Sequence, residues 1–224
     1  MSTASITTNS MLEGNIKQTL MSMTLPMVMG MLMLMTFGLV DTFFVSLLGT
    51  QELAAISFTF PVTFTVISLN IGLGIGISAV IGRLLGSNDH ANARLVATAA
   101  LMTVLCLVGL LSVIGFITID PIFKLLGASP ELLIHIHDYM SIWYIGAIFL
   151  ALPMSGNSVL RASGDTKTPS MIMAAGGAIN ALLDPLLIFG YGPIEGMGIK
   201  GAAIATTIAW GVGLIWVLIL LVKR

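Results

Sequence analysis

Two aspartates stand where an apolar chain has least reason to keep them. Asp184 lies in "NALLDPLLIFG" (residues 180–190), four residues after Asn180 and directly before Pro185, and Asp41 lies in "LVDTFFVSLLG" (39–49). A carboxylate in hydrocarbon costs kilocalories even on lenient insertion scales, so such a residue is a functional candidate by default. On a helix Asn180 and Asp184 share one face, a turn apart. Pro185 has no N–H and leaves the carbonyl of Ala181 without its helical donor. Carboxylate, amide and carbonyl oxygens therefore gather at one level, where a proton or a hard cation such as sodium would be held. Two carboxyls close together in a low-dielectric setting resist carrying two negative charges, which gives the pair two charge states. Ionised, it attracts a cation or nearby polar groups; protonated, it loses that attraction.

Other patterns that resemble chemistry are better read as packing. "GLGIGISAVIGRLLG" (72–86) has the glycines of a dinucleotide loop but sits in an apolar run that follows no strand, so close helix packing through Gly72, Gly76 and their neighbours is expected. In "HIHDY" (135–139) the histidines are two apart and point to different sides of a helix, so no shared metal is expected. "MSMTLPMVMGMLMLM" (21–35) supplies flexible, polarizable side chains. Most of these would face lipid or pack, while Met27, and Met173 further on, share faces with polar residues and are candidates for a ligand cavity.

These residues must be positioned by helices in a membrane. The chain is 57% hydrophobic and 8% charged, with a mean hydropathy of +1.04, far more apolar than a soluble domain. A net charge of −1 and a single cysteine, Cys106, offer neither a nucleic-acid surface nor a disulfide framework. Six apolar segments, at about 18–43, 54–82, 95–118, 132–159, 169–191 and 199–222, are each near or above the roughly 20 residues that span a bilayer. The first lacks a small-residue cleavage site and is read as a retained helix. The expected organisation is a cytoplasmic N-terminal segment over 1–17, an all-α six-helix transmembrane lobe over 18–222, and a truncated C-terminus at 223–224. Lys17, Arg83, Arg94, Arg161, Lys167, Lys223 and Arg224 fall on one side, against Lys124 and Lys200 on the other, so both termini should be cytoplasmic in a multi-pass protein of the plasma (inner) membrane. Counting about 1.5 Å per residue puts Asp41 and Asp184 in the outer half of two helices that run in the same direction. Asp41, near its segment's outer end, could alternatively reach interfacial water. Small residues flank both acids, Gly30 and Gly38 on one face and Gly176 and Gly177 on the other, so a helix, ion or ligand can come close.

Four stretches, "LVDTFFVSLLGTQELAA" (39–55), "RASGDTKTP" (161–169), "NALLDPLLIFG" and "GIKGAAIATT" (198–207), in this order, resemble the amino-terminal lobe of the multidrug and toxic compound extrusion transporters. The resemblance is to the branch whose coupling acids lie in that lobe. It implies a cation-coupled antiporter, driven by protons or sodium with no other cofactor, that exports amphipathic, often cationic, drug-like compounds. Carried over, Asp41 and Asp184 are the coupling acids, Asn180 their hydrogen-bonding neighbour and Thr206 a hydroxyl from the sixth helix. Asn157 matches a residue of the substrate cavity, although its position is near the cytoplasmic end of the fourth helix, and Pro26 matches the proline at which the first helix bends. Full transporters have two six-helix lobes, so this chain corresponds to one of them. It would work with a second copy or a companion carboxy-terminal lobe, or be a truncated product. Two other readings are a non-transporting membrane scaffold and an intramembrane prenyltransferase, which also sets an Asn-x-x-x-Asp on a membrane helix. The latter needs more acids for magnesium and basic residues for a diphosphate, where this chain has Leu, Ile and Phe.

Overall fold

A chain this apolar must satisfy its backbone polar groups within its own segments, and helices do that locally. The computed structural model describes residues 15–192 and 194–223; most of the N-terminal segment (1–14) and Arg224 lie outside the described residues. The helices are α1 (Ile16–Ser46), α2 (Thr50–Gly86), α3 (His90–Ile117), α4 (Ile119–Leu125), α5 (Pro130–Ala162), α6 (Lys167–Phe189) and α7 (Ile199–Lys223). All but α4 are long and apolar enough to cross a membrane. Between α6 and α7 a two-stranded antiparallel ribbon, β1 (Gly190–Tyr191) and β2 (Ile194–Glu195), pairs Gly190 with Glu195 and Tyr191 with Ile194.

Most of the helices run past the apolar segments at one or both ends, because polar residues that read as loop serve as first turns and caps. Asn15, Asp89 and Ser129 accept from the backbone N–H of Lys17, Asn92 and Leu132 and start α1, α3 and α5, as N-caps do. The side-chain and backbone hydrogen bonds from Asn92 hold the Asp89 carboxyl below its ordinary range. The expected loop between the third and fourth spans contains α4, and the loop after the fifth contains the ribbon; neither short element is legible in hydrophobic periodicity.

Helix α5 is the axis of the bundle, packing on α2, α3, α4 and α7, while α6 packs on α7 and α1 packs chiefly on α6. Ile136, Met140, Trp143, Tyr144, Ala147 and Ala151 of α5 are buried against Ile77 and Ile81 of α2, Val104 and Val108 of α3, and Ile199 and Ala203 of α7. The Tyr144 ring occupies the space where a Cβ of Gly115 would stand, so an α5 side chain packs directly on the backbone of α3. Helix α1 is peripheral.

The glycine string corrects one expectation. Among the described residues, Gly72 and Gly76 have nothing within 4 Å of a Cβ position, whereas the close contact is made by Gly74, whose Cβ would lie 2.6 Å from Ser158 Oγ. Two residues along a helix rotate the side chain to the opposite face. Gly72 and Gly76 point out of the bundle, and only Gly74 faces α5.

Candidate functional site

The seam between α1 and α6 carries the polar residues. Asp184 is 0% exposed although Leu182, two positions earlier, is 75% exposed, so α6 turns one face outward and the acid inward. The Asn180 amide has two protons and spends both: Nδ2 donates to Asp184 Oδ1 at 3.0 Å and to Thr206 Oγ1 of α7 at 3.2 Å. Asp41, half-buried on α1, brings its carboxyl within hydrogen-bonding reach of Asp184. Among the described residues, Asp41 Oδ1 and Asp184 Oδ2 are both buried and meet no donor. Two neighbouring carboxyls with unmet acceptors can be satisfied together by a shared proton or a hard cation. This answers the alternative placement of Asp41: its carboxyl faces Asp184 within the bundle.

Tyr139, buried on α5, stands within electrostatic range of both acids. Reading "HIHDY" for metal ligands passed over it. The available signal was a tyrosine in an apolar span, since a buried phenol keeps a polar tip that needs a use. Its neighbour Asp138 looks elsewhere, to Lys200 Nζ on α7 at 3.1 Å.

Of the eight residues singled out in the sequence, the structure unites Asp41, Asn180, Asp184 and Thr206. Met173 is half-buried on α6, eleven residues before Asp184, about 16 Å away along the axis. Met27 lies on an exposed part of α1, and Asn157 is buried on α5 with Oδ1 unpartnered. Pro26 sits inside α1, which continues through it as helix.

Thr206 offers a contained test. Thr206→Val keeps the shape and removes the acceptor for Asn180, so unfolding in detergent should show a loss of about 1 kcal/mol, the net weight of one hydrogen bond, and Thr206→Ser should restore it. Equal stability of the valine and serine variants would remove the hydroxyl from the network.

The family signature described as MatE matches residues 26–186, which includes the Pro26, Asp41, Asn180 and Asp184 positions. The chain belongs to the MatE family. Members of this family are membrane transporters, not enzymes, and this chain is a multi-pass membrane protein. It is 48% identical over 206 residues to a protein of Shewanella oneidensis named FAD transporter, covering 92% of this chain and 46% of that one. It is 34% identical over 163 residues to a Bacillus subtilis protein named "Probable multidrug resistance protein YoeA", covering 72% of this chain and 35% of that one. A solved structure of the Vibrio cholerae MATE transporter VcmN in a bent form superposes with a TM-score of 0.87 at 36% identity, over 92% of this chain and 46% of that one. The chain spans about half the length of the curated relatives it matches, so the MatE fold present here is one six-helix lobe.

Proposed function

We propose that the chain is one lobe of a proton- or sodium-driven antiporter that exports amphipathic organic compounds across the plasma membrane. The observation that carries this reading is the Asp41–Asp184 pair, with two buried oxygens that meet no donor beside the Asn180 amide and the Thr206 hydroxyl. A carboxyl pair with two charge states does work only if the protein's packing differs between them. Helix α1 is suited to respond because it packs chiefly on α6, with lighter contacts to α2 and α7, and contains Pro26, where a missing N–H weakens the ladder and lowers the cost of a bend. In this reading Met27, Met173 and Asn157 line the substrate path on the side where α1 begins. A companion lobe or a second copy supplies the opposite wall, since six crossings return the chain to its starting side and let two such bodies sit in the same orientation.

The test is efflux of a cationic dye from intact cells expressing the chain with its second lobe, with sodium present or absent and with the proton gradient collapsed. Dependence on one gradient identifies the coupling ion; efflux indifferent to both would overturn the coupling. A second substrate reading is favoured by one observation: the 48% identity to a protein named FAD transporter exceeds the 34% to one named for multidrug resistance. Flavin dinucleotide in the growth medium, measured by fluorescence, distinguishes the two cargoes.

Orientation is tested separately. With Cys106 replaced by serine, a Glu195→Cys variant should react with an impermeant thiol reagent added to intact cells, because the positive-inside bias puts the β1–β2 ribbon outside. Labelling that appears only after lysis would reverse the assignment.

A further inference from the structure

The seam between α1 and α6 contains a polar contact far from the acids that the coupling reading does not use. Ser170 Oγ on α6 lies 2.6 Å from the carbonyl oxygen of Pro26 on α1 and 2.9 Å from the carbonyl oxygen of Thr166, one turn earlier on its own helix. A serine hydroxyl has one proton and can satisfy one of these acceptors at a time. The approach is close because Gly30 has no side chain: a Cβ there would lie 3.1 Å from Ser170 Oγ and 3.2 Å from Ser170 Cβ.

This contact is the first of three along one line. Ser170, Gly177 and Asp184 recur every seven residues on α6, the spacing that keeps one face of a helix on a neighbour. Facing them on α1 are Pro26 with Gly30, then Phe37, whose ring fills the space of a Gly177 Cβ, then Asp41. The first contact falls at the one turn of α1 whose hydrogen-bond ladder is already short of a donor. A bend at Pro26 would pivot the α1 segment that carries Asp41 at the Ser170 end of the seam.

We propose that Ser170 is a positioning residue for α1. Its hydroxyl bonds to the Pro26 carbonyl when α1 is docked on α6, and turns to the Thr166 carbonyl when α1 leaves. The second acceptor is what makes this a clasp rather than a fixed strut. Losing a partner inside a membrane ordinarily strands a polar group at a cost, but serine can bond back to the carbonyl four residues earlier, so the hydroxyl is satisfied in both arrangements. The Pro26 carbonyl keeps its helical N–H in the released state. The clasp thus biases the docked position without locking it.

The inference rests on the reading of α1 as the moving helix, and its test does not use transport. Nitroxides are placed at Leu39→Cys on α1 and Leu182→Cys on α6, both exposed, in a chain with Cys106→Ser, and their separation is measured by pulsed electron resonance in nanodiscs. Ser170→Ala should lower the docked-to-released ratio about two- to tenfold, the equilibrium weight of one neutral hydrogen bond. Ser170→Val and Ser170→Thr have the same shape and differ in the hydroxyl; valine should follow alanine, and threonine should keep the wild-type distribution. An unchanged distribution in Ser170→Ala overturns the clasp, as does a threonine variant that shifts as far as valine. Failed efflux with an intact Ser170 effect would instead count against the coupling reading alone.

Discussion

On the proposed reading, replacing Asp184 with asparagine in the chain expressed with its second lobe should reduce coupled export to the level of cells lacking the chain, while leaving it inserted and folded. The substitution preserves shape and leaves an oxygen in reach of the Asn180 amide, which now donates to Asp184 Oδ1. It removes the titrating charge and with it one of the pair's two states. Stability should hold or rise, because a neutral amide relieves the repulsion between two neighbouring carboxyls, each with a buried oxygen that meets no donor among the described residues, and breaks no ion pair. The measurement is efflux at matched expression, with thermal unfolding of the purified protein alongside. Wild-type efflux in Asp184→Asn would remove the acid from coupling. Loss of both efflux and folding would make it a structural residue.

The largest stability effect is expected at Gly201. A Cβ at this position would overlap the carbonyl of Leu187 and stand 2.8 Å from the Ile188 nitrogen. Both atoms are backbone, so no rotamer change relieves the contact. The same stretch of α6 is already committed, since the Leu187 and Ile188 carbonyls accept from the N–H groups of Met197 and Gly198. Gly201→Ala should therefore push the start of α7 away from α6 and cost about 1–3 kcal/mol, the usual range for overpacking. Because Thr206 rides on α7 five residues later, the displacement should also weaken its bond to Asn180 and with it coupling. Gly211, on the same helix with nothing within 4 Å, is the control. Alanine there should be neutral or stabilising by up to about 1 kcal/mol, since glycine is the poorer helix former. Equal stability of the two variants would mean that α6 and α7 are not in backbone contact.

What the sequence determined by itself is local. The six spans follow from the rule that a backbone in hydrocarbon must bond to itself, and their number needs no knowledge of neighbours. The Asn180–Asp184 hydrogen bond was legible for the same reason, because residues four apart on a helix meet whatever the helix packs against. Thr206, by contrast, reached the site through resemblance alone; no spacing connects it to Asn180, and its role depends on α7 lying beside α6. Tertiary structure decided which helices are neighbours. Asp41 and Asp184 meet across most of the chain because α1 docks on α6, and Tyr139 stands within electrostatic range of them because α5 is the central helix. The glycines show why this was out of reach: Gly72, Gly74 and Gly76 are equivalent by composition, and only Gly74 faces a partner. In a soluble helix an apolar stripe would have marked the inner face. Here lipid is as apolar as the core, so hydrophobicity carries no direction, and the choice of contact falls to shape and to the few polar groups that must find each other.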